Sequence, residues 1–447
     1  MSDSPGATAR DLLSQFYAAA TAAAAPGPAL TTRLERLEVG PERRLWILAL
    51  GKAALPMATT AVQHLGTRAH NLVGGLVVAP EGNQSPHPSL TLVRGDHPEP
   101  GTGSLAAAEA LGAVASRISP DDEVWVLLSG GTTSLIGAPE PGLTPAELST
   151  LYALLLGSGL DITAMNRIRK RFSRWGGGKL ARALSPARVR VYIVSDVIGD
   201  DLASIGSGPC VPDPTTAAEV RALLEGTALW PRIPEPARQF INSTVSGKTA
   251  ETPKPGDRAF ARITIELVAS NRLALEAAAK RAAELGLAPR IVETPLAGEA
   301  SRAGASVADN LFNNCVQHAI PQPSSAPPCL IWGGETTVSL GENPTGLGGR
   351  SQELALAAAR ALDGAPEGTA LLAAGTDGRD GPTDAAGAIV DGRTWSAIAA
   401  RGRNPARDLE GHNAYPALDS IGALLKPGLT GTNVMDIVIG ICRRGEA

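Results

Sequence analysis

Aromatic side chains are scarce in this 447-residue chain, at 3% of positions, so its interior cannot be built on Phe, Tyr and Trp. The hydrophobic share is still 43%, near the globular norm, which leaves Ala, Leu, Val and Ile to fill the core. Basic charge is not in surplus either. The 40 Lys and Arg stand against 44 Asp and Glu, for a net charge of −4 spread along the chain. A nucleic-acid surface needs a basic face, so that class of partner is excluded. No stretch approaches about 18 consecutive apolar residues, which excludes a membrane-spanning helix and a membrane partner. The four cysteines, Cys210, Cys315, Cys329 and Cys442, form no CxxC pair and no metal-like spacing. In a chain this long they read as buried thiols of a reducing compartment. Residues 1–30 hold Arg10 as their one base and no uninterrupted apolar stretch of signal-peptide type, so the expected location is cytoplasmic.

What is abundant is glycine (50) and proline (35), the residues of backbone-shaped sites and turns. A length of 447 exceeds one ordinary core, so two domains are expected. Residues 7–25 are Ala- and Leu-rich without a breaker and predict a helix. Continuous apolar runs at 45–50, 73–79, 124–128 and 189–194 suit strands buried on both faces of a parallel sheet. Each is followed by a Gly- or Ser-bearing turn and mostly by an Ala-rich helical stretch. That rhythm predicts an α/β domain with a doubly wound sheet. Pro231, Pro234, Pro236 and the run Pro253-Lys254-Pro255-Gly256-Asp257 interrupt it and suggest a linker. The predicted domains are therefore 1–245 and 246–447. The second holds strands at 263–268, 290–292, 329–332, 371–374 and 434–441. Its helices are expected at 271–285, capped by Asn271, and at 298–319 and 354–362. Residues 321–328 read as a surface loop.

Several motifs sit at predicted strand ends, where open α/β sheets bind ligands. Lys52, in Gly51-Lys52-Ala53, is a point charge for a phosphate or carboxylate, or an ordinary surface lysine. No P-loop spacing surrounds it. Ser129-Gly130-Gly131-Thr132-Thr133-Ser134 is either an anion cradle or a tight turn with glycines for geometry. Asn166, Arg169 and Lys170 fall in a basic run that either grips a carboxylate or forms a solvated helix face. Asp196, in Ser195-Asp196-Val197, suits general-base or metal chemistry, with an exposed turn as the alternative. Glu335 follows Gly333-Gly334, and Gly348-Gly349-Arg350 leads into a helix, an arrangement that suits a polyphosphate at a helix N-terminus. Asp377, in Gly375-Thr376-Asp377-Gly378, is a candidate base or Mg²⁺ ligand, or part of an Asp-Gly turn.

In order, these segments resemble the glycerate 2-kinase family, the class II glycerate kinases with a C-terminal MOFRL domain. Gly95-Asp96-His97-Pro98, Ser207-Gly208-Pro209, Gly381-Pro382-Thr383-Asp384 and Gly431-Thr432-Asn433 extend the likeness over nearly the whole chain. The resemblance implies an N-terminal Rossmann-like doubly wound sheet, a C-terminal α/β MOFRL domain and an active site in the interdomain cleft. It also implies ATP-dependent phosphorylation of D-glycerate at its 2-hydroxyl with Mg²⁺. Lys52, Arg350, Asp377 and Asp196 correspond to the catalytic set, with Glu335 and Asn433 close by. Asp377 is favoured as base and Asp196 as metal ligand, with the swap open. Ser129, Gly130, Gly131, Thr132, Asn166, Arg169, Lys170, Gly348 and Gly349 are the expected nucleotide- and substrate-binding residues. A homodimer is one candidate assembly, the oligomeric state being open. Two departures from the family pattern stand out. Thr132 and Thr133 replace a glycine and a serine, and Arg171 replaces a histidine; both place the identity of the acceptor in question. Alternatives are a kinase of a related hydroxy acid, a nicotinamide-dependent hydroxypyruvate reductase (a name some family members carry), and a non-catalytic ligand-binding protein.

Overall fold

The run Leu45-Trp46-Ile47-Leu48-Ala49-Leu50 forms β1 (Leu45–Leu50), buried at every residue, as a strand covered on both faces requires. The computed structural model describes residues 8–37, 43–319, 326–341 and 346–442. Around β1 lie β2 (Leu72–Ala79), β3 (Leu90–Arg94), β4 (Glu123–Leu128), β5 (Arg188–Val194) and β6 (Ile263–Ala269). The sheet order is β3-β2-β1-β4-β5-β6. The pairings from β3 through β5 are parallel. This is the order of doubly wound dinucleotide-type sheets, and its direction reverses between β1 and β4. One face packs Leu48, Val126 and Val191 against the helices Thr102–Ala115 and Lys179–Leu184. The helix Ala54–Leu65 packs on β1 and β2 but contributes nothing to that cluster, so it covers the opposite face. Four further helices, Pro145–Leu156, Ile162–Phe172, Ala217–Gly226 and Glu235–Val245, share a core of their own around Leu151, Phe172, Leu224 and Ile241.

The second sheet contains β7 (Ala288–Ile291), β8 (Pro328–Gly334), β9 (Thr369–Gly375), β10 (Gly387–Asp391), β11 (Leu424–Leu425) and β12 (Asp436–Cys442). Its order is β11-β10-β9-β12-β8-β7. Only β7 and β8 pair in parallel; the other pairings are antiparallel. β8 and β9 are buried throughout, and Leu330, Trp332, Leu371 and Val438 anchor the core with Leu354 of the helix Arg350–Ala361. The N-terminal helix Ala9–Ala23 belongs to this unit. It packs on the helix Asn271–Glu284, Arg10 donates to the Leu424 carbonyl at 2.8 Å, and Tyr17 Oη donates to the Gly375 carbonyl at 2.7 Å. Among the described residues no helix is long and apolar enough to cross a membrane.

The chain divides by packing into 26–268 and a second unit made of 1–25 with 269–447. The sequence-based boundary at 245/246 thus differs from the structure, for a physical reason. The proline-rich stretch is fastened to the first unit: Thr252 donates to Asp213 at 2.9 Å, Asp213 N donates to the Pro253 carbonyl, and Glu251 pairs with Arg171. The strand at 263–268, assigned to the second domain from sequence, is instead the sixth strand of the first sheet. Its alternate residues Ile263, Ile265 and Leu267 pack on the first core. The helix expected over 7–25 stops at Ala23, and a second helix, Pro26–Leu34, begins on a proline, which a helix tolerates in its first turn. The helix Asn271–Glu284 is capped by Ser270, whose hydroxyl accepts from Leu273 N, and not by Asn271. The cysteine reading is corrected in half. Cys210 and Cys329 are buried thiols, each pushed up to about 12 by burial, but Cys315 and Cys442 form a disulfide with Cα atoms 5.5 Å apart. Most of the 321–328 loop lies outside the described residues.

Candidate active site

In the first unit the loops after β1 and β4 meet at the point where the strand order reverses. Lys52 N donates to the Gly130 carbonyl at 2.9 Å and Ser129 N to the Leu50 carbonyl at 3.0 Å. Gly51 sits at φ +121, and a Cβ there would lie 2.3 Å from Ser129 Oγ, so glycine is required by both backbone and space. Ser129 Oγ accepts from Ala53 N at 2.9 Å, and the Thr132 hydroxyl lies 2.9 and 2.7 Å from the Leu50 and Ser129 carbonyls, donating to them. Both hydroxyls, expected at a ligand, are buried and serve to stitch the two loops. What faces outward is different. Lys52 is exposed, and a Cβ on Gly131 (φ +81) would meet His97 Cδ2 at 3.0 Å and Lys52 Cγ at 3.2 Å. A Cβ on Gly130 would lie 1.8 Å from Asp196 Oδ2. Lys52, His97, Asp196 and the Gly130-Gly131 backbone therefore form one cluster at the ends of β1, β3, β4 and β5. Partial burial and the Lys52 charge hold the His97 imidazole below its usual range, which favours its neutral form. His97 belongs to Gly95-Asp96-His97-Pro98, and the sequence does not single it out because β3 has too little apolar patterning to mark its end.

Asn166, Arg169 and Lys170 lie on the helix Ile162–Phe172. Arg169 stacks 5.2 Å over the Tyr152 ring, and Lys170 is 6% exposed, its pKa lowered by burial against the pull of Asp213 and Asp201. A solvated helix face does not describe this run. Arg171 is 1% exposed, pairs with Glu251 and donates to the Thr215 carbonyl at 2.8 Å. Of these departures Thr132 and Arg171 are internal, the Thr132 hydroxyl stitching the loops and Arg171 bracing the proline-rich segment, while Thr133 is half-buried. The helix reaches the β4 loop through the turn Ile205–Ser207, where Ser207 Oγ is 2.9 Å from Thr133 Oγ1.

In the second unit, Arg350 opens the helix Arg350–Ala361 with Gly349 as N-cap. Its Nε and Nη2 donate to Asp436 at 2.6 and 3.0 Å, and its Nη1 lies 2.5 Å from Glu335 Oε1. Burial works against the guanidinium's charge, but Asp436 and Glu335 hold it protonated. Asp436 is 5% exposed, and burial pushes its carboxyl up to about 6 although Arg350 pulls it down. The N-terminus of this helix differs from the expected open phosphate site. The Asp380 carboxylate accepts from Ser351 N at 3.2 Å and Gln352 N at 2.8 Å. A Cβ on Gly349 would lie 2.3 Å from it, so this glycine admits Asp380. Burial pushes Asp380 up to about 7. Asp377 ends β9 beside this group, half-buried, with Oδ1 accepting from Arg379 N at 3.0 Å. A Cβ on Gly375 would lie 3.1 Å from Asp377 Oδ1 and 3.5 Å from Asp436 Oδ1, so the two carboxylates flank one glycine. Asn433 Oδ1 accepts from Met435 N at 3.2 Å, shaping the turn ahead of β12. Arg350, Glu335 and Asp377 are thus brought together around Asp436, and Asn433 lies in the turn that leads into β12. Asp380, one of the aspartates in the glycine-rich run after β9, belongs to the same group, as do Asp436 and Tyr17, which the sequence does not mark.

A nucleotide-type sheet with a cationic loop at its switch point, and a second sheet carrying an arginine among carboxylates, define a protein class that handles small anions. Comparison with known proteins narrows this. Residues 12–242 match the domain of unknown function DUF4147, and residues 328–436 match the MOFRL family. The chain is 37% identical to the glycerate 2-kinase of Pyrococcus horikoshii over 401 residues, 89% of this chain and 87% of the relative. It is 37% identical to the D-glycerate 2-kinase of Thermotoga maritima over 89% of this chain and 90% of the relative. It is also 38% identical to a putative hydroxypyruvate reductase of Agrobacterium vitis over 96% and 94%. The crystal structure of the Thermotoga maritima glycerate kinase superposes with a TM-score of 0.86 at 35% identity, covering 97% of this chain and 99% of that one. The chain belongs to the glycerate kinase family with a MOFRL domain.

Proposed function

We propose that the chain is an ATP-dependent kinase that transfers the γ-phosphoryl group to the 2-hydroxyl of D-glycerate. The observation that carries this reading is the Arg350 cluster. A guanidinium held by two carboxylates at a helix start, with Asp377 at the neighbouring strand end, supplies charge stabilisation and a proton acceptor. Phosphoryl transfer asks for little else. The substrate's hydroxyl oxygen attacks the γ-phosphorus, its bond to the β,γ-bridging oxygen breaks, and ADP leaves. The hydroxyl proton passes to Asp377. Arg350 neutralises charge on the transferred group, and in the first unit the Lys52 ammonium, the Gly130-Gly131 backbone and neutral His97 offer charge and hydrogen bonds to an anion.

Among the described residues no group of three or more His, Cys, Asp or Glu side chains is arranged as a metal cage. Mg²⁺ does not require one. It binds through one or two carboxylates with water and substrate phosphates, and a single carboxylate against a glycine-rich loop fits that chemistry. Asp196 is the residue that would hold it, and Mg²⁺ bound there would offset charge on the nucleotide phosphates.

The reductase name among the relatives motivates a second reading. Against it, the loop after β1 is Gly51-Lys52-Ala53-Ala54, without the spaced glycines that bring a backbone up to a dinucleotide pyrophosphate. Two assays on one preparation decide between them: ADP release with D-glycerate and ATP, and NADH oxidation with hydroxypyruvate. The kinase reading expects the first and no enzyme-dependent second. NADH oxidation without ADP release would reverse the assignment.

A further inference from the structure

We propose that Asp436 is a positioning residue for phosphoryl transfer, fixing the Arg350 guanidinium by its buried edge so that the opposite edge meets the transferred group. The inference rests on the kinase reading and deepens it. Asp436 engages both of its oxygens on Arg350, at 2.6 Å to Nε and 3.0 Å to Nη2. With both oxygens on the fork, it is poorly placed to act as a base or a metal ligand, and its geometry is that of a clamp.

The two carboxylates on Arg350 differ. The Asp436 side chain is 7% exposed and the Glu335 side chain 43% exposed, with the arginine between them at 35%. The inner edge is therefore fixed and the outer edge, at Nη1, opens toward solvent. An incoming phosphoryl oxygen meets Nη1 by displacing Glu335, whereas Asp436 has nowhere to go.

The backbone that carries Asp436 is itself immobilised. Asn271 Nδ2 donates to the Val434 and Asp436 carbonyls at 2.8 and 3.0 Å. Thr376 Oγ1 donates to the Met435 carbonyl at 2.7 Å and accepts from Val434 N at 2.8 Å. Met435 occupies φ +69, a conformation that a methionine keeps only when its surroundings impose it. Thr376 precedes Asp377, so the same turn ties the clamp to the proposed base. A guanidinium aimed by a rigid second carboxylate is the arrangement that positional precision in a charged site requires.

The test is a double-mutant cycle on ADP formation with D-glycerate, using wild type, Asp436→Asn, Arg350→Ala and the double variant. Asp436→Asn is expected to lower kcat on the order of 10- to 100-fold, with KM for ATP and for D-glycerate changed less than about threefold. In the Arg350→Ala background the same change should add less than about twofold, because the clamp then has nothing to aim. A kcat for Asp436→Asn within about twofold of wild type overturns the proposal, and so does a full multiplicative loss on top of Arg350→Ala. Should Asp436→Asn fail to fold, Asp436→Glu carries the cycle. It keeps the charge but shifts the carboxylate by one methylene, and the same kcat loss and the same non-additivity are expected. A wild-type chain that forms no ADP removes the kinase reading and this proposal together; an active wild type with an additive cycle removes the proposal alone.

Discussion

The two strand-end clusters handle negative charge in opposite ways. The one after β1 and β4 is built from backbone: glycines, carbonyls tied across two loops, and an exposed Lys52. The one around Arg350 is built from buried charge, with Asp436 at 5% and Asp380 at 4% exposure balanced against a guanidinium and a helix start. The first can lose its cation with little effect on folding. The second cannot, because removing one partner of a buried ion pair leaves the other charged and unsolvated. Catalytic and structural demands are therefore separable in the first unit and fused in the second.

The largest effect that would break this contrast is expected from single-cation removal. Arg350→Ala should lower kcat by about 1,000-fold and cost about 3 kcal/mol of stability, because Asp436 loses its counter-charge. Lys52→Met should lower kcat/KM by about 100-fold yet leave the melting temperature within about 1 °C. Steady-state kinetics and thermal melts on the two variants check the pair, and equal destabilisation would erase the distinction. Next, Asp377→Asn should reduce turnover by about 100-fold with nucleotide affinity nearly kept, as expected of a base. Near-normal turnover would pass that role to another carboxylate, Asp196 first. Gly130→Ala should then cost about tenfold in kcat/KM, because the new methyl displaces the Asp196 carboxylate while the Gly131 geometry survives.

The smallest expected effect concerns pH. The Asp380 carboxyl titrates near 7 when folded against 3.8 when unfolded, so the native state holds that proton more tightly. Its contribution to stability is complete below about pH 4 and is lost as the pH rises to about 7. Asp380→Asn should therefore flatten the melting-temperature profile across that window by a few degrees. An unchanged slope would show that Asp380 is ionised throughout.

Much of this architecture is readable from sequence wherever burial is two-sided. β1, residues 124–128 of β4 and residues 370–374 of β9 are unbroken apolar runs because both of their faces are covered, and no other signal is needed. β3 is an edge strand with one fully buried residue, and its run of Leu, Thr and Val beside Arg94 carries no comparable mark. The unit boundary was misplaced because proline content reports a break in regular structure and says nothing about which core the irregular segment is fastened to. Hydroxyls in glycine-rich loops were ambiguous for a similar reason: Ser129 and Thr132 are the residue types that bind anions and also those that bridge two loops. Asp436 was hidden in another way. It opens an apolar strand, and its partner is 86 positions away in sequence, a pairing that only the fold creates.

Phosphorus NMR of the product formed from D-glycerate and ATP tests the central claim most directly. Transfer to the 2-hydroxyl predicts a new phosphomonoester resonance split into a doublet by the single proton on C2, growing in step with ADP and about 1,000-fold more slowly with Arg350→Ala. A triplet from the two protons of C3, or no phosphomonoester at all, would contradict it.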